Sequence, residues 1–595
     1  MIKLSDYIAA RLRNQHHVKD VFLISGGGAM HLNNAFGQQK GITYYTNHNE
    51  QATAIAAEGY ARLNQDLAVA NVTTGPGGLN ALNGVFGAWT DSAPILFISG
   101  QVKFETTIAS CPSIPLRQLG DQEVDIISVV KPLTKYAVMV TDPNTIKYHL
   151  DKAVYLATHG RKGPVWLDIP MNVQAAMIDE KKLKSYNPKE DEVKLPVTKK
   201  AVADTIKKLS AAKRPVIVAG HGIRLAKAEE KFLKLLTQIN IPVLTSFNGM
   251  DILSDDNKNY IGRIGTIGQR AGNFTLQNAD VILFLGTRNN IRQVSYNWEN
   301  FAKNAFKIAV DIDKAELDKP TVKPDIKINA DAGDFITALL KTKKKIDAGK
   351  WLKWCANLKR KYAFGSYTDH TDKAKTINPY FFVHELTSQL KANVPMVTAN
   401  GTACVTPLQS AVVKKGQRIF YNSGNASMGY DLPAAIGACI ANGRKETVCL
   451  SGDGSIMMNL QELQTIRHYN LPIKIFIINN SGYSSIKQTQ KNFFNGHLTG
   501  ACPNSGVTTP DFSKVAKAFA LPSMKISSKT GMASQIKAAL NAKGPMVIDV
   551  ITERDYIFVP KLSAKKLPDG TMVSPTLEDM FPFLDREEFE ENILK

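Results

Sequence analysis

No apolar run in this 595-residue chain approaches the roughly 20 residues needed to span a bilayer. The opening Met1-Ile2-Lys3-Leu4-Ser5-Asp6 leads into a helical pattern without a signal-peptide core. A membrane span is therefore not expected, and a cytoplasmic location is. Cysteine is scarce: the six residues Cys111, Cys355, Cys404, Cys439, Cys449 and Cys502 never fall at metal-ligand or redox spacing, so they are expected to be reduced packing residues. Acidic residues fall short of basic ones, for a net charge of +20. That excess raises nucleic acid as a partner, but the lysines are scattered, with local runs only at 341–345 and 561–566. A solvated basic face is the expectation, with no nucleic-acid partner. With 44% hydrophobic and 21% charged residues, the composition excludes disorder, and the length suits about three or four domains with full cores.

What is present centres on Ser451-Gly452-Asp453-Gly454-Ser455 and the later Asn479-Asn480-Ser481-Gly482. Residues 446–450 (ETVCL) read as a strand, and Met457, Leu460, Leu463 and Ile466 recur at helical spacing. A strand is expected to feed a helix through the glycine turn. A second strand, 473–478, ends at the two asparagines, so Asp453 and Asn480 both fall at the carboxyl ends of strands, where parallel α/β sheets bind ligands. A diphosphate approaching the turn would meet Asp453 as a like charge. A Mg²⁺ ion sharing Asp453, Asn480 and a main-chain oxygen near Gly482 removes that repulsion.

Upstream, strand 18–25, the turn Gly26-Gly27-Gly28, a helix, strand 42–46, the alanine-rich helix 51–63 and strand 67–73 alternate. This predicts a parallel, doubly wound sheet. Glu50 stands at the start of the alanine-rich helix in Asn47-His48-Asn49-Glu50-Gln51, and Thr74-Gly75-Pro76-Gly77-Gly78 opens the next one. A glutamate in a first helical turn also complements the helix dipole, which is the purely structural alternative. Strand 95–100 follows, and residues 161–170 read as the last strand of this unit.

In order and spacing these segments, together with the GDG…NN block, resemble the thiamine-diphosphate-dependent carboligases, in particular acetolactate-synthase-like proteins. The resemblance covers nearly the whole chain. It implies an α/β fold of three doubly wound parallel-sheet domains: pyrimidine-binding (1–185), central (195–345) and diphosphate-binding (375–555), with a C-terminal arm (556–595). The polar, lysine-rich stretch 186–197 reads as a linker and 347–372 as a charged helix and linker. In some members of the family the central domain holds FAD. Gly220, Gly286, Thr287, Arg288, Asp311 and Asp313 resemble flavin-contacting positions, but Asn289-Asn290 stand where the family has an Arg-Phe-Asp-type run, so FAD stays open. The arm, 561–584 in particular, is expected to lie over the active site.

The resemblance also implies roles. Glu50 becomes the carboxyl that hydrogen-bonds the cofactor's aminopyrimidine and promotes loss of the thiazolium proton, although Asn49 is inserted between histidine and glutamate and leaves His48 a structural reading. Met428 matches the methionine that wedges the cofactor into its bent shape. The main chain near Gly401-Thr402 and Ala426 would contact diphosphate and aminopyrimidine, with Gly27, Gly28, Thr74, Gly452, Gly454, Ser455, Gly482 and Tyr483 as further cofactor contacts. Because the family holds one cofactor between two subunits, a homodimer or tetramer is expected.

The donor implied is a 2-oxo acid, pyruvate, and the partner a carbonyl acceptor. No His-His pair of the simple decarboxylases occurs between Cys111 and Gln122. Gln122 instead matches the ligases' substrate-side glutamine, which favours carboligation. Thr489 stands where anabolic acetohydroxyacid synthases carry a tryptophan, and losing a ring that buries about 150–250 Å² opens the acceptor side. The variants around Gln122 and Met428 also resemble carboligases that add a two-carbon unit to a keto-sugar nucleotide in surface-polysaccharide pathways. Acetolactate synthesis from two pyruvates is one alternative and a flavin-using pyruvate oxidase another. A non-catalytic basic binding protein is a third.

Overall fold

The computed structural model describes residues 1–365, 376–566, 569 and 571–594, without the side chains of 565, 566 and 572. Three six-stranded sheets carry the chain, and every strand pairing within them is parallel. In the N-terminal sheet the spatial order is Thr43–Thr46, Asp20–Leu23, Ala68–Val72, Ile95–Gln101, Val165–Pro170, Ala137–Met139. The C-terminal sheet repeats that order with Ile419–Phe420, Met396–Thr398, Thr447–Gly452, Ile473–Asn479, Met546–Ile551 and Ser523–Ile526. Between them in sequence, the central sheet runs Tyr260–Arg263, Val243–Thr245, Pro215–Ala219, Val281–Leu285, Phe306–Asp311, Ile326–Asn329, the order of a dinucleotide-binding fold. The strands are the expected β-branched runs, buried on both faces because helices cover each sheet.

Two helices join the outer sheets. Glu50–Asn64 is alanine-rich, capped by Asn49, whose side chain accepts the Gln51 N–H, and closed by Gln65 at φ 58°. It crosses Asp431–Ala441, which is equally rich in small residues. Apolar residues from both sheets, Phe22 and Val72 with Cys449 and Ile475, belong with these helices to one continuous core. Behind the crossing, the buried Arg62 donates to Asp91 (2.9 Å) and Glu58 (3.3 Å), and Asn248 of the central unit donates to the other Asp91 oxygen at 2.9 Å. Burial pushes the Glu58 carboxyl up to about 8 even beside that guanidinium.

One expectation is corrected. The glycine turn does not open directly into a helix: a single 3₁₀ turn, Ile456–Met458, intervenes, and the helix is Glu462–Tyr469. Asn459 leaves the helical region at φ −139° while its amide reaches the Gly429 carbonyl at 2.8 Å. Met457 is consequently 40% exposed, whereas Leu463 and Ile466 are buried. The arm seats against the central unit: Arg270 donates to the Met580 carbonyl at 3.2 Å, Asn273 to that of Leu577 at 3.0 Å, and Gln277 to Glu578 at 2.8 Å. Residues 554–558 follow helix Ser484–Phe493 through Lys487 and Gln488, and the Tyr556 hydroxyl hydrogen-bonds that of Thr402. Residues 567, 568 and 570 of the arm, residues 366–372 of the expected linker, and the side chains of Lys565 and Lys566 lie outside the described residues. The cysteines are all free, four of them buried.

Candidate cofactor site

In both outer sheets the strand order reverses between the first and third strands, and a crevice forms there. In the C-terminal sheet that crevice lies between the ends of Met396–Thr398 and Thr447–Gly452. Asp453 is buried, its Oδ1 accepting the Gly454 N–H and its Oδ2 the Gly482 N–H, both at 2.9 Å. Burial raises its carboxyl to about 6, opposed by the backbone N–H groups of Gly482, Gly454, Ser481 and Asn480. Asn480 Nδ2 lies 3.4 Å from Thr402 Oγ1, while its Oδ1 is buried without a hydrogen-bond partner among the described residues. An orphaned amide oxygen next to the loop that holds a buried carboxylate is a donor set that fits a hard cation.

The backbone around it leaves room for an anion. Gly401 sits at φ 55° before helix Thr402–Ser410, and a Cβ there would meet nothing within 4 Å. At Gly454 a Cβ would strike the Tyr483 ring at 2.1 Å, so Tyr483 closes directly over the turn. Ser455 Oγ accepts the Gly429 N–H at 2.9 Å and donates to the buried Asp431 at 3.3 Å, which ties the diphosphate-side turn to the segment bearing Met428. Asn400 Nδ2 donates to the Ala426 carbonyl at 2.8 Å. The glycine turns, the unclashed helix N-terminus and the carboxylate–amide pair fit a cation-bridged diphosphate.

The N-terminal candidates form a second group. A Cβ on Gly28 would lie 1.8 Å from Thr74 Oγ1, and one on Gly75 would lie 1.8 Å from the Gln122 carbonyl oxygen. One on Gly77 would be 3.5 Å from Glu50 Oε1, and Asn80 Nδ2 donates to Glu50 Oε2 at 3.0 Å. Gly28, Thr74, Glu50 and Gln122 are therefore gathered around the turn 73–78, with the exposed Gly27 opening the 3₁₀ turn Gly27–Ala29. Among the described residues no hydrogen bond joins Glu50 or Gln122 to the Asp453 group. Gln122 holds a left-handed φ of 65°.

Three buried carboxylates supporting these groups escaped the sequence reading. Glu123, 4% exposed, accepts the N–H groups of Ile108, Leu119 (2.9 Å) and Gly120 (3.2 Å). Asp168 accepts from Ser99 (2.6 Å) and from Gln101 (3.2 Å), whose Nε2 also reaches the Val124 carbonyl at 3.0 Å. Burial raises Asp168 to about 7. Glu462 joins the two groups through Asn47 and His48. A visible signal was its position four residues before Ile466 on the apolar face.

The central crevice is lined by Gly286, Thr287, Arg288 and Asp311 together with Asp91, Arg161 and His221. Gly220 backs it, its Cα so close that a Cβ would stand 2.1 Å from the Gly286 oxygen. Asp313 stands behind that lining, pairing with Arg161 at 2.7 Å and capping helix Lys314–Asp318. Arg288 is held by Glu316 (3.1 Å) and the Thr90 carbonyl (2.9 Å).

Two outer sheets of one topology, each with its site at a strand-order switch, and a dinucleotide-type sheet between them define the class: an enzyme built to hold a diphosphate-bearing cofactor. The comparisons agree. The chain matches the thiamine pyrophosphate enzyme N-terminal TPP binding domain over residues 2–128, the central domain over 202–339 and the C-terminal TPP binding domain over 400–550. It is 31% identical to the acetolactate synthase large subunit of Cyanidium caldarium, over 95% of this chain and 96% of that one. It is 30% identical to the large subunit of Lactococcus lactis subsp. lactis (strain IL1403), over 92% of each, and 30% identical to acetolactate synthase 1, chloroplastic, of Zea mays, over 92% of this chain and 85% of that one. The chain belongs to the thiamine pyrophosphate enzyme family, within its acetolactate-synthase-like proteins, and is a thiamine-diphosphate-dependent enzyme. Among the described residues no helix is long and apolar enough to cross a membrane.

Proposed function

We propose that this enzyme decarboxylates pyruvate and transfers the two-carbon unit to a ketone acceptor, in a homodimer or a larger assembly, with Mg²⁺ held by Asp453, Asn480 and the main chain at Gly482. The observation that carries the reading is the buried Asn480 Oδ1, without a partner among the described residues, in the turn 480–482 that Asp453 caps. Bound thiamine diphosphate supplies the carbon centre at which a 2-oxo acid loses carbon dioxide. The chain's own residues then have separate tasks. Asp453 and Asn480 hold the cation, Gly401 and Gly452 leave the space a diphosphate needs, and Gly454 admits the Tyr483 ring against the turn. Glu50, its Oε2 fixed by Asn80, holds or releases a proton at the carboxyl. Gln122 orients the substrate with its amide, and its backbone is pinned against Gly75. Met428 supports the cofactor between the turns.

For the acceptor, Thr489 is exposed on helix Ser484–Phe493, its hydroxyl turned back to the Ser485 carbonyl at 3.1 Å, with Ile486 exposed one turn earlier. That open face supports a bulky acceptor such as a keto-sugar nucleotide. The names of the similar proteins favour acetolactate synthesis as the second reading. The glycine-walled central crevice supports FAD, which an absorption spectrum of the purified protein tests directly. Mass spectrometry of products from pyruvate with a panel of acceptors decides between ligations. Efficient acetolactate formation with no product from large ketones would overturn the acceptor proposal. Calorimetry with thiamine diphosphate and Mg²⁺ tests the site: Asp453→Ala is expected to lose more than the roughly 10–100-fold that a supporting group costs, while keeping its fold.

A further inference from the structure

The segment that presents Glu50 is held from the other end of the chain. Glu462 is fully buried on the helix that follows the Asp453 turn. Its Oε2 accepts the Asn47 side-chain amide at 2.8 Å, and its Oε1 accepts the His48 peptide N–H at 2.9 Å. Thr465 donates to Oε2 at 2.7 Å. At the far end of the same helix, the Tyr469 hydroxyl accepts the Thr46 N–H at 2.9 Å and lies 3.0 Å from Thr46 Oγ1, while its ring packs edge-on to Tyr45 at 5.1 Å. Residues 45–48 are therefore gripped one after another, and the next two are Asn49, the helix cap, and Glu50. A buried carboxylate is tolerated only where donors converge on it. Here the donors other than Thr465 belong to the segment that delivers Glu50.

We propose that Glu462 is a positioning residue for Glu50: it locks the turn 46–49 to the helix behind the Asp453 loop, so that the Glu50 carboxyl stands at one fixed place. The proposal rests on the reading of Glu50 as the carboxyl that serves the aminopyrimidine. In a dimer whose subunits share cofactors, the same lock ties the metal-side turn of one site to the activating carboxyl of the other. Glutamine at 462 keeps the shape and one acceptor oxygen but turns an NH₂ group toward one of the incoming donors.

The test compares full-length wild type, Glu462→Gln, Glu50→Gln and the double variant. In the cofactor-free protein, Glu462→Gln is expected to speed amide hydrogen exchange in peptides covering 44–51 at least about tenfold, with peptides elsewhere unchanged. With saturating thiamine diphosphate and Mg²⁺, cofactor affinity is expected to stay near wild type, while proton exchange at the thiazolium carbon slows on the order of 10–10²-fold. The double variant should be no slower than Glu50→Gln alone, because both changes act through one carboxyl. Wild-type exchange at 44–51 and at the thiazolium carbon in Glu462→Gln, or losses that multiply in the double variant, would overturn the assignment while leaving the Glu50 reading intact. Wild-type thiazolium exchange in Glu50→Gln would instead remove that reading, and this proposal with it.

Discussion

Gly437 and Ala56 touch backbone to backbone: a Cβ on Gly437 would stand 1.8 Å from the Ala56 carbonyl oxygen. The contact is reciprocal, since a Cβ on Gly59 would lie 2.2 Å from the carbonyl oxygen of Ala434. At this crossing the helix that begins with Glu50 meets the helix that follows Met428, so the spacing of the two site-bearing elements depends on the absence of one methyl group. Gly437→Ala is expected to destabilise the protein by about 1–3 kcal/mol. Denaturant unfolding followed by two probes checks it, and an unchanged midpoint would show that the helices can separate at no cost.

Glu123 gathers three backbone N–H groups on one buried carboxylate next to Gln122. Glu123→Gln leaves fewer acceptors for them, and hydrogen bonds to a charged group contribute roughly 1.5–3 kcal/mol each. The loop 108–122 is then expected to open more often. Limited tryptic cleavage after the exposed Arg117 should be markedly faster than in wild type, with the remaining sites cut at the same rate. Equal cleavage at Arg117 would mean that the loop does not depend on Glu123.

Asp168 is wholly buried, and its carboxyl is raised from 3.8 to about 7 by burial, more than the donors Ser99 and Gln101 lower it. The folded protein therefore binds this proton more tightly than the unfolded chain does. Its stabilising contribution is complete below about pH 4 and is lost as pH rises towards 7. Between those limits the melting temperature of wild type should fall relative to Asp168→Asn, by an amount on the order of a few kcal/mol in stability. Parallel pH profiles would show that the carboxyl is not perturbed in the folded state.

Thr489→Trp would place a ring on the open face of helix Ser484–Phe493. Product from pyruvate is expected to shift toward small acceptors, by roughly 10-fold or more in the ratio of large to small product, because a filled pocket excludes bulk more readily than an empty one selects it. Competition between pyruvate and a large ketone, read by mass spectrometry, measures that ratio. An unchanged ratio would place the acceptor away from this face.

The sequence by itself determined the class of fold and the chemistry of the cofactor turn. β-branched runs broken by glycine turns, and helices at period 3.6, are short-range properties, and Asp453 and Asn480 each follow their strand directly. Tertiary structure alone decided which distant residues meet. Glu462 and His48 lie 414 positions apart and share a hydrogen bond. Arg62 and Asp91 pair only because two helices bury them together, and the arm finds Arg270 and Asn273 at one place and Thr402 at another. Even the start of helix Glu462–Tyr469 was set at a distance, when Asn459 gave up helical geometry to bond Gly429. The physical reason is common to all of these: a buried polar group must find its partner wherever the packed chain brings one, and the local pattern of residues does not encode that meeting.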